Sequence, residues 1–326
     1  YVGTEGVAAS FAPESAPGTI SAGSTTDSVL LLTNKGAVDS PAVLVSIRDT
    51  KGVFTVNEIN GLEGNLEFVP PSQIKGAIEG KETTKSVTGA IYGLTLSLKA
   101  RDLLKDEQAF TTNLLATACY QYETKLTANV CVDASSYSFQ KQRKPCDPNV
   151  PILLKSQGAP VAIKRIETIT EKSGNYVRPK FKIFMDNVGA GLVIDKSDID
   201  LSCSTQPRND DKPDKPSELD RFWVDTVELG GQELVCSDVD DKGNKVGLRI
   251  SDNYQKDYLL CAYTGDGFEL GSGTFATPLK VGLSYGYALT SVPVPVRIEK
   301  GIQCEEDAER SCSISEGGSG MQKCID

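Results

Sequence analysis

"LLATACYQYETKLTANVCVD", Leu114–Asp133, decides the fold. Its two halves are short runs of β-branched, aromatic and small residues, with the polar Glu123-Thr124-Lys125 between them. Such runs read as strands, and a simple hairpin centred on Lys125 is the expected connection. Tyr120 and Tyr122, at i and i+2, share one face and are expected to pack over the core edge. Cys119 and Cys131 lie equidistant from Lys125, so this hairpin sets them opposite each other, within disulfide reach.

A second copy of the pattern sits near the end of the chain. "VGLSYGYALTSVPVPVRI", Val281–Ile298, aligns Tyr285 with Tyr120 and Tyr287 with Tyr122. Upstream, "LLLTNKGAVDSPAVLVSI" (Leu30–Ile47) matches "KIFMDNVGAGLVIDKSDIDL" (Lys182–Leu201), pairing Asn34 with Asn187 and Gly36 with Gly189. The Asn-x-Gly step suits a tight turn, because glycine accepts positive φ and asparagine tolerates it. Other strand signals fill the intervals: Leu94, Leu96 and Leu98 alternate with Thr95, Ser97 and Lys99. The one helix candidate is Ala100–Gln108. The chain therefore reads as all-β: two tandem Ig-like β-sandwiches with a short Cys-containing C-terminal tail. The expected divisions are an extended N-terminal arm at 1–11, sandwiches at 12–147 and 148–300, and a disulfide-closed tail at 301–326. Pro and Asp in "CDPNVP", Cys146–Pro151, mark the boundary between the sandwiches.

The opening "GTEGVAASFAPESAPGTI", the strand end "LTNKGAVDS", the Cys-Tyr-x-Tyr strand with its following Cys131, and "QGAPVAIKRIE" together resemble one family. It comprises uncharacterised secreted, often lipoprotein-like, surface proteins of small-genome (DPANN-type) archaea. The Asn-x-Gly segments are also similar to Ig-like domains related to cell adhesion. The resemblance implies a β-sandwich outside the cytoplasmic membrane and carries no enzyme activity, so it transfers no catalytic residue.

Composition narrows the chemistry. The 326 residues carry 34 Lys+Arg against 44 Asp+Glu, a formal charge of −10. That balance repels nucleic acid and anionic membrane. No 18-residue apolar run is present to span a bilayer as a helix. The chain has no histidine. Ser-His-Asp and Cys-His constellations and imidazole acid–base chemistry are thereby excluded. The chain opens at Tyr1-Val2-Gly3 without a secretory signal, which reads as a processed N-terminus.

The nine cysteines are Cys119, Cys131, Cys146, Cys203, Cys236, Cys261, Cys304, Cys312 and Cys324, and none forms C-x-x-C. Zinc ribbons need closer pairs, so disulfides and an oxidising compartment are the expectation. Besides Cys119–Cys131, the expected pairs are Cys236–Cys261 across an Asp-rich turn and Cys146–Cys203 between the sandwiches. A pair within Cys304, Cys312 and Cys324 would close the tail, leaving the third to reach a sandwich cysteine or a neighbouring subunit.

Three further segments invite a site reading. "DVDDKGNKVGLR", Asp238–Arg249, places Asp238, Asp240 and Gly243 as a calcium loop would, but has Lys242 at the fifth position and Arg249 at the twelfth. A surface hairpin is the plainer expectation, with Ca²⁺ on Asp238 and Asp240 the alternative. Arg208–Asp220 reads as a solvated loop, and Trp223, the single tryptophan, as core. No Asn-x-Ser/Thr sequon occurs among the twelve asparagines, which excludes conventional N-glycosylation and leaves O-glycans on stretches such as Ser21–Ser28 open.

Function follows from assembly rather than catalysis. The expectation is a non-enzymatic extracellular structural subunit that self-assembles into a filament, tube or surface layer by strand addition from a terminal arm. Its partners would be copies of itself. The alternative is a monomeric adhesion module contacting a host cell surface or a polysaccharide. A carboxylate-based hydrolase is the weakest reading, since no motif supports it.

Overall fold

The computed structural model describes residues 3–81, 88–104, 107–135, 144–203 (201–202 by backbone alone), 219–239, 245–250 and 258–300, and the backbone of 309–313 and 319–323. In chain order the strands of the first half are β1 (Val7–Phe11), β2 (Thr19–Ser21), β3 (Thr25–Asn34), β4 (Ser40–Asp49), β5 (Phe54–Asn60), β6 (Glu67–Val69), β7 (Gln73–Ile78), β8 (Ile91–Ala100) and β9 (Ala109–Asp133). There follow β10 (Ile152–Leu153), β11 (Val161–Ser173), β12 (Tyr176–Asn187), β13 (Leu192–Ile194), a helical turn α1 (Ile199–Ser202), β14 (Arg221–Leu229), β15 (Gln232–Glu233) and β16 (Val235–Cys236). The remainder is β17 (Leu248–Arg249), β18 (Leu259–Ala262), β19 (Phe268–Glu269), β20 (Thr274–Thr290), β21 (Val294–Glu299), β22 (Glu309–Ser313) and β23 (Ser319–Lys323).

These strands build two Ig-like sandwiches. In the first unit a sheet of order β1-β3-β8-β5 covers one end of a large central sheet, and in the second a sheet of order β10-β11-β12-β18-β16 covers the other end. The two covering sheets correspond: β1 to β11, β3 to β12, β8 to β18 and β5 to β16. β1 pairs with β3 so that Val7 faces Asn34. Likewise Val161 on β11 faces Asn187 on β12. The repeat in the sequence is thus a repeat of structure. Val7–Phe11 is extended, but it is the edge strand of the first covering sheet and pairs with β3 of its own chain, and Val7, Ala9 and Phe11 are buried.

The two units share their central sheet. β9 is one unbroken strand of 25 residues, about 80 Å long at the ordinary rise per residue. β20 runs antiparallel to it from Thr274↔Asp133 to Thr290↔Thr117, and β21 continues that line to Glu299↔Ala109. Each strand of this ribbon enters both units: β9 pairs with β4 in the first, and β20 with β14 in the second. One hydrophobic core accordingly runs through both halves.

This corrects the hairpin expected at Lys125. Glu123-Thr124-Lys125 is polar but has no Gly, Asn or Pro to reverse the chain. Lys125 pairs with Gly282 in mid-ribbon, and Cys119 and Cys131 lie 12 residues apart on one strand. Cys119 instead bonds Cys203, and Cys131 bonds Cys146, so Cys146–Cys203 is also overturned. Cys236 bonds Cys261 across neighbouring strands.

Cys203 belongs to a feature found only in the second unit. β13 and β14 lie in succession along β20, where β4 runs without interruption along β9 in the first unit. The insertion Asp195–Asp220 separates them. The Asp220 N–H donates to the Val193 carbonyl at 2.8 Å, closing its base. Its Ile199 and Cys203 cover Leu44, Cys119 and Ile194 on the outside of the central sheet. The loop expected at Arg208–Asp220 lies outside the described residues except for Leu219 and Asp220.

Ala100–Gln108 is not a helix among its described residues: Arg101–Leu104 is irregular. There the Glu107 carboxylate accepts the Leu104 N–H at 3.0 Å and pairs with Arg101 at 3.1 Å, closing a loop instead. In the tail, β22 and β23 form a hairpin with Cys312 opposite Gly320. Cys304, Cys324 and the Cys312 side chain lie outside the described residues, and so does the expected tail disulfide.

Candidate binding face

Four tyrosines occupy the middle of the ribbon and set the frame on which the surfaces hang. Tyr120 faces Tyr287 and Tyr122 faces Tyr285 across the strands. Their ring centroids are 5.7 and 6.4 Å apart, and all four side chains are fully buried. They are the centre of the core and not its edge. Burial pushes all four phenols above the ordinary tyrosine range; for Tyr122, Tyr285 and Tyr287 hydrogen bonds oppose it in part.

Each Asn-x-Gly segment brackets one of these rings. Asn34 Oδ1 accepts the Gly36 N–H at 3.0 Å, and its Nδ2 donates to the Val38 carbonyl at 3.0 Å. Tyr122 donates to the same Oδ1 and accepts the Val38 N–H, both at 3.4 Å. In the second unit Tyr287 donates to Asn187 Oδ1 at 3.1 Å and accepts the Gly191 N–H at 2.7 Å. Neither Gly36 nor Gly189 has positive φ. Glycine is needed for space instead, because a Cβ at either position would overlap the tyrosine hydroxyl.

With the frame held, the outward residues of the second covering sheet form the most site-like surface. On β12, Val177, Pro179, Phe181 and Ile183 point into the core, which turns Arg178, Lys180 and Lys182 outward. Spaced two residues apart, these cations span about 13 Å along one strand. β11 lies beside them in the register Glu167↔Lys182, Ile169↔Lys180 and Glu171↔Arg178. On the other flank β18 sets Leu260 against Lys182.

The polar and aromatic groups form a continuous chain across the sheet. The Arg165 guanidinium stacks 3.9 Å from the Phe184 ring centroid and its Nε lies 3.3 Å from Glu167. Phe184 contacts Tyr258, with centroids 5.4 Å apart, and the Lys182 ammonium sits 4.6 Å from the Tyr258 ring. Lys180 pairs with Glu171 at 2.5 Å. Between them runs a shallow trough of about 440 Å³ lined by Ile169, Glu171, Lys180, Lys182, Tyr258 and Leu260. Tyr258 and Ile169 are partly exposed there.

The residues singled out in the sequence fall elsewhere. Asp238 is buried, and its carbonyl accepts the Val246 N–H at 2.8 Å, where the bridge Val239↔Lys245 makes the base of a hairpin. Asp240 lies outside the described residues. No group of three metal-ligating side chains comes together among the described residues. Trp223 is not core: Phe222 and Val224 take the inward positions, and Trp223 is half-buried on the outer side. Its indole N–H donates to Asp195 at 3.3 Å, and Lys196 lies 5.7 Å from its ring, beside Asp225 and Ser284. The face on β12 is the feature the sequence reading missed. Its signal was "RPKFKIF", Arg178–Phe184, in which cations alternate with core residues.

No protein-family model matches the chain, and no curated protein is significantly similar to it. Among solved structures it is similar to the pilus backbone RrgB of Streptococcus pneumoniae, at 9% identity and a TM-score of 0.23, over 98% of this chain and 56% of that one. The chain therefore spans a little over half the length of that pilus backbone. It is also similar to the C-terminal domain of the antigen I/II polypeptide BspA of Streptococcus agalactiae, at 11% identity and a TM-score of 0.22, over 90% of this chain and 100% of that one. A third likeness is to the C-terminal domain of the antigen I/II-family protein AspA of Streptococcus pyogenes, at 9% identity and a TM-score of 0.18, over 91% of this chain and 100% of that one.

Proposed function

We propose that the chain is a non-enzymatic extracellular module that serves a structural or adhesive role. One observation carries the reading: both sandwiches are built on the same ribbon. Units joined by a linker bend at the linker, whereas bending here requires breaking the pairing of a 17-residue strand with its 25-residue neighbour. Three disulfides fasten the frame, chemistry that persists in oxidising compartments. The rod also has direction. The chain leaves the ribbon at Glu299, opposite Ala109, while the β11–β12 hairpin lies toward the end marked by Asp133. The kinship with DPANN-type archaeal surface proteins, the tandem domain division read from the sequence, and a location at the cell surface belong to this same proposal.

In its finer form the module assembles with copies of itself into a filament, tube or surface layer by strand addition. Because β1 is seated against β3, such assembly proceeds either by exchange of β1 between copies, as in domain swapping, or by pairing at open edges such as β5 and β16. The second reading, adhesion by a monomer, is favoured by the cationic, aromatic face on β12. Negative-stain microscopy with mass-per-length measurement decides between them. Polymers with a repeat near the length of one rod support assembly, and single rods of 34.9 kDa at all concentrations support monomeric adhesion.

A further inference from the structure

We infer that the outer face of the β11–β12–β18 sheet binds an acidic polysaccharide, a polymer of uronate-type sugars lying across Lys180, Lys182 and Tyr258. The inference rests on the adhesive reading above and gives it a ligand class and a site.

Charge is the first ground. The chain carries −10 overall, yet the middle of this face sets Arg165, Arg178, Lys180 and Lys182 against Glu167 and Glu171, with Asp186 and Glu269 only at its two ends. A local excess of cations on an acidic protein attracts a polyanion to one place while the rest of the surface repels it. The matching face of the first unit has no such row. β3 turns Asp27, Val29, Leu31 and Thr33 outward, and β8 turns Thr95, Ser97 and a single cation, Lys99.

Chemistry is the second ground. Sugar rings present apolar C–H faces between their polar groups, and Tyr258, Ile169 and Leu260 supply partly exposed apolar surface between the ammonium groups. The tyrosine offers a flat body with a polar tip. Lys180 and Lys182 are also available. Lys180–Glu171 is a half-exposed pair, of a kind worth at most about 1 kcal/mol, so exchanging Glu171 for a ligand carboxylate costs little. Lys182 has a ring beside it and no carboxylate partner among the described residues.

Shape is the third ground. The trough is shallow and lies on an open sheet face, whereas small-molecule sites are concave and enclosing. An extended chain can cross such a face and continue past it. Nucleic acid and anionic membrane would meet the same cations, but each also brings a broad negative surface toward an acidic protein.

The test titrates the full chain with sodium polygalacturonate, its carboxyl-reduced neutral form, a DNA duplex and phosphatidylglycerol vesicles. Polygalacturonate should bind, and the neutral form should not. The pair Lys180→Gln/Lys182→Gln should weaken binding about tenfold or more, Tyr258→Ala several-fold, and the control Lys99→Gln not at all. Melting temperatures near that of the unsubstituted chain show that the variants fold. Equal binding by the unsubstituted chain and the lysine pair overturns the inference, and so does DNA or vesicle binding as strong as polygalacturonate. Binding of the neutral polymer that is insensitive to the lysine pair also overturns it, but leaves the adhesive reading standing. Failure to bind any polymer or any cell-surface material removes both.

Discussion

Asn34 in the first unit and Asn187 in the second hold a ribbon tyrosine with the same set of groups, yet the sheets above them present unrelated surfaces. One is lined by Val29, Leu31, Thr33 and Thr95, the other by Arg178, Lys180, Lys182 and Tyr258. The inward residues are tied to each other through the core, where a misplaced methylene is felt. Outward residues of a β-strand carry no such constraint, so a duplicated frame keeps its brackets and alters its faces. The second unit differs further in its insertion, which returns to the first unit through Cys119–Cys203.

Alkali tests the shared frame most strongly. Tyr120, Tyr122, Tyr285 and Tyr287 are held neutral above the ordinary phenol pKa by burial. Because the folded values are raised, their contribution is fully present below about pH 10 and is lost as the unfolded chain ionises above it. Stability therefore falls as the pH rises above about 10, where the unfolded chain ionises and the buried phenols of the folded one do not. Phenolate absorbance should show these four, of eleven tyrosines, ionising only with unfolding and both units unfolding together. Separate alkaline transitions would split the frame in two.

Disulfides sharpen the difference between the units. Cys119–Cys203 closes a separation of 84 residues, and Cys131–Cys146 one of 15. Replacing the first pair with serine should cost roughly 4–5 kcal/mol, and the second roughly 3 kcal/mol, in denaturant melts. Equal losses would mean that loop length does not set what each bond contributes, and a negligible loss for the first pair would mean that the insertion is not fastened across the ribbon.

The two brackets should also differ from each other. Tyr287 makes hydrogen bonds of 2.7 and 3.1 Å, whereas those of Tyr122 are both 3.4 Å. Tyr287→Phe should therefore cost about 1–2 kcal/mol and Tyr122→Phe less than about 1 kcal/mol. The smallest effect belongs to the neutral face: Thr95→Lys should change stability by no more than about 0.5 kcal/mol. A much larger loss there would mean that this face is covered rather than free.

The frame was far more legible in the sequence than the face. Tyr120, Tyr122, Tyr285 and Tyr287 were found with their Asn-x-Gly partners because both copies retain them at matching spacing. The glycines were assigned to turn geometry, since a sequence cannot show that a hydroxyl occupies the place of a Cβ. Glu123–Lys125 reads as a turn because Glu123 and Lys125 are outward residues of a long ribbon and Thr124, although buried, is polar and hydrogen-bonded inside the core. Trp223 was read as core from its type alone, whereas the alternation gives Phe222 and Val224 the inward phase. The β12 face needs three strands in register: Arg178, Lys180 and Lys182 alternate along one short stretch of sequence, but Tyr258 reaches them only through β18. Cys119 likewise found its partner in the insertion, whose path no spacing rule anticipates.

Differential scanning calorimetry of the intact, oxidised chain tests the central claim, that the two sandwiches form one body on a shared ribbon, most directly. A single transition with equal calorimetric and van't Hoff enthalpies is the predicted result. Two resolved transitions, with one unit unfolding while the other keeps its buried tyrosines, would contradict it.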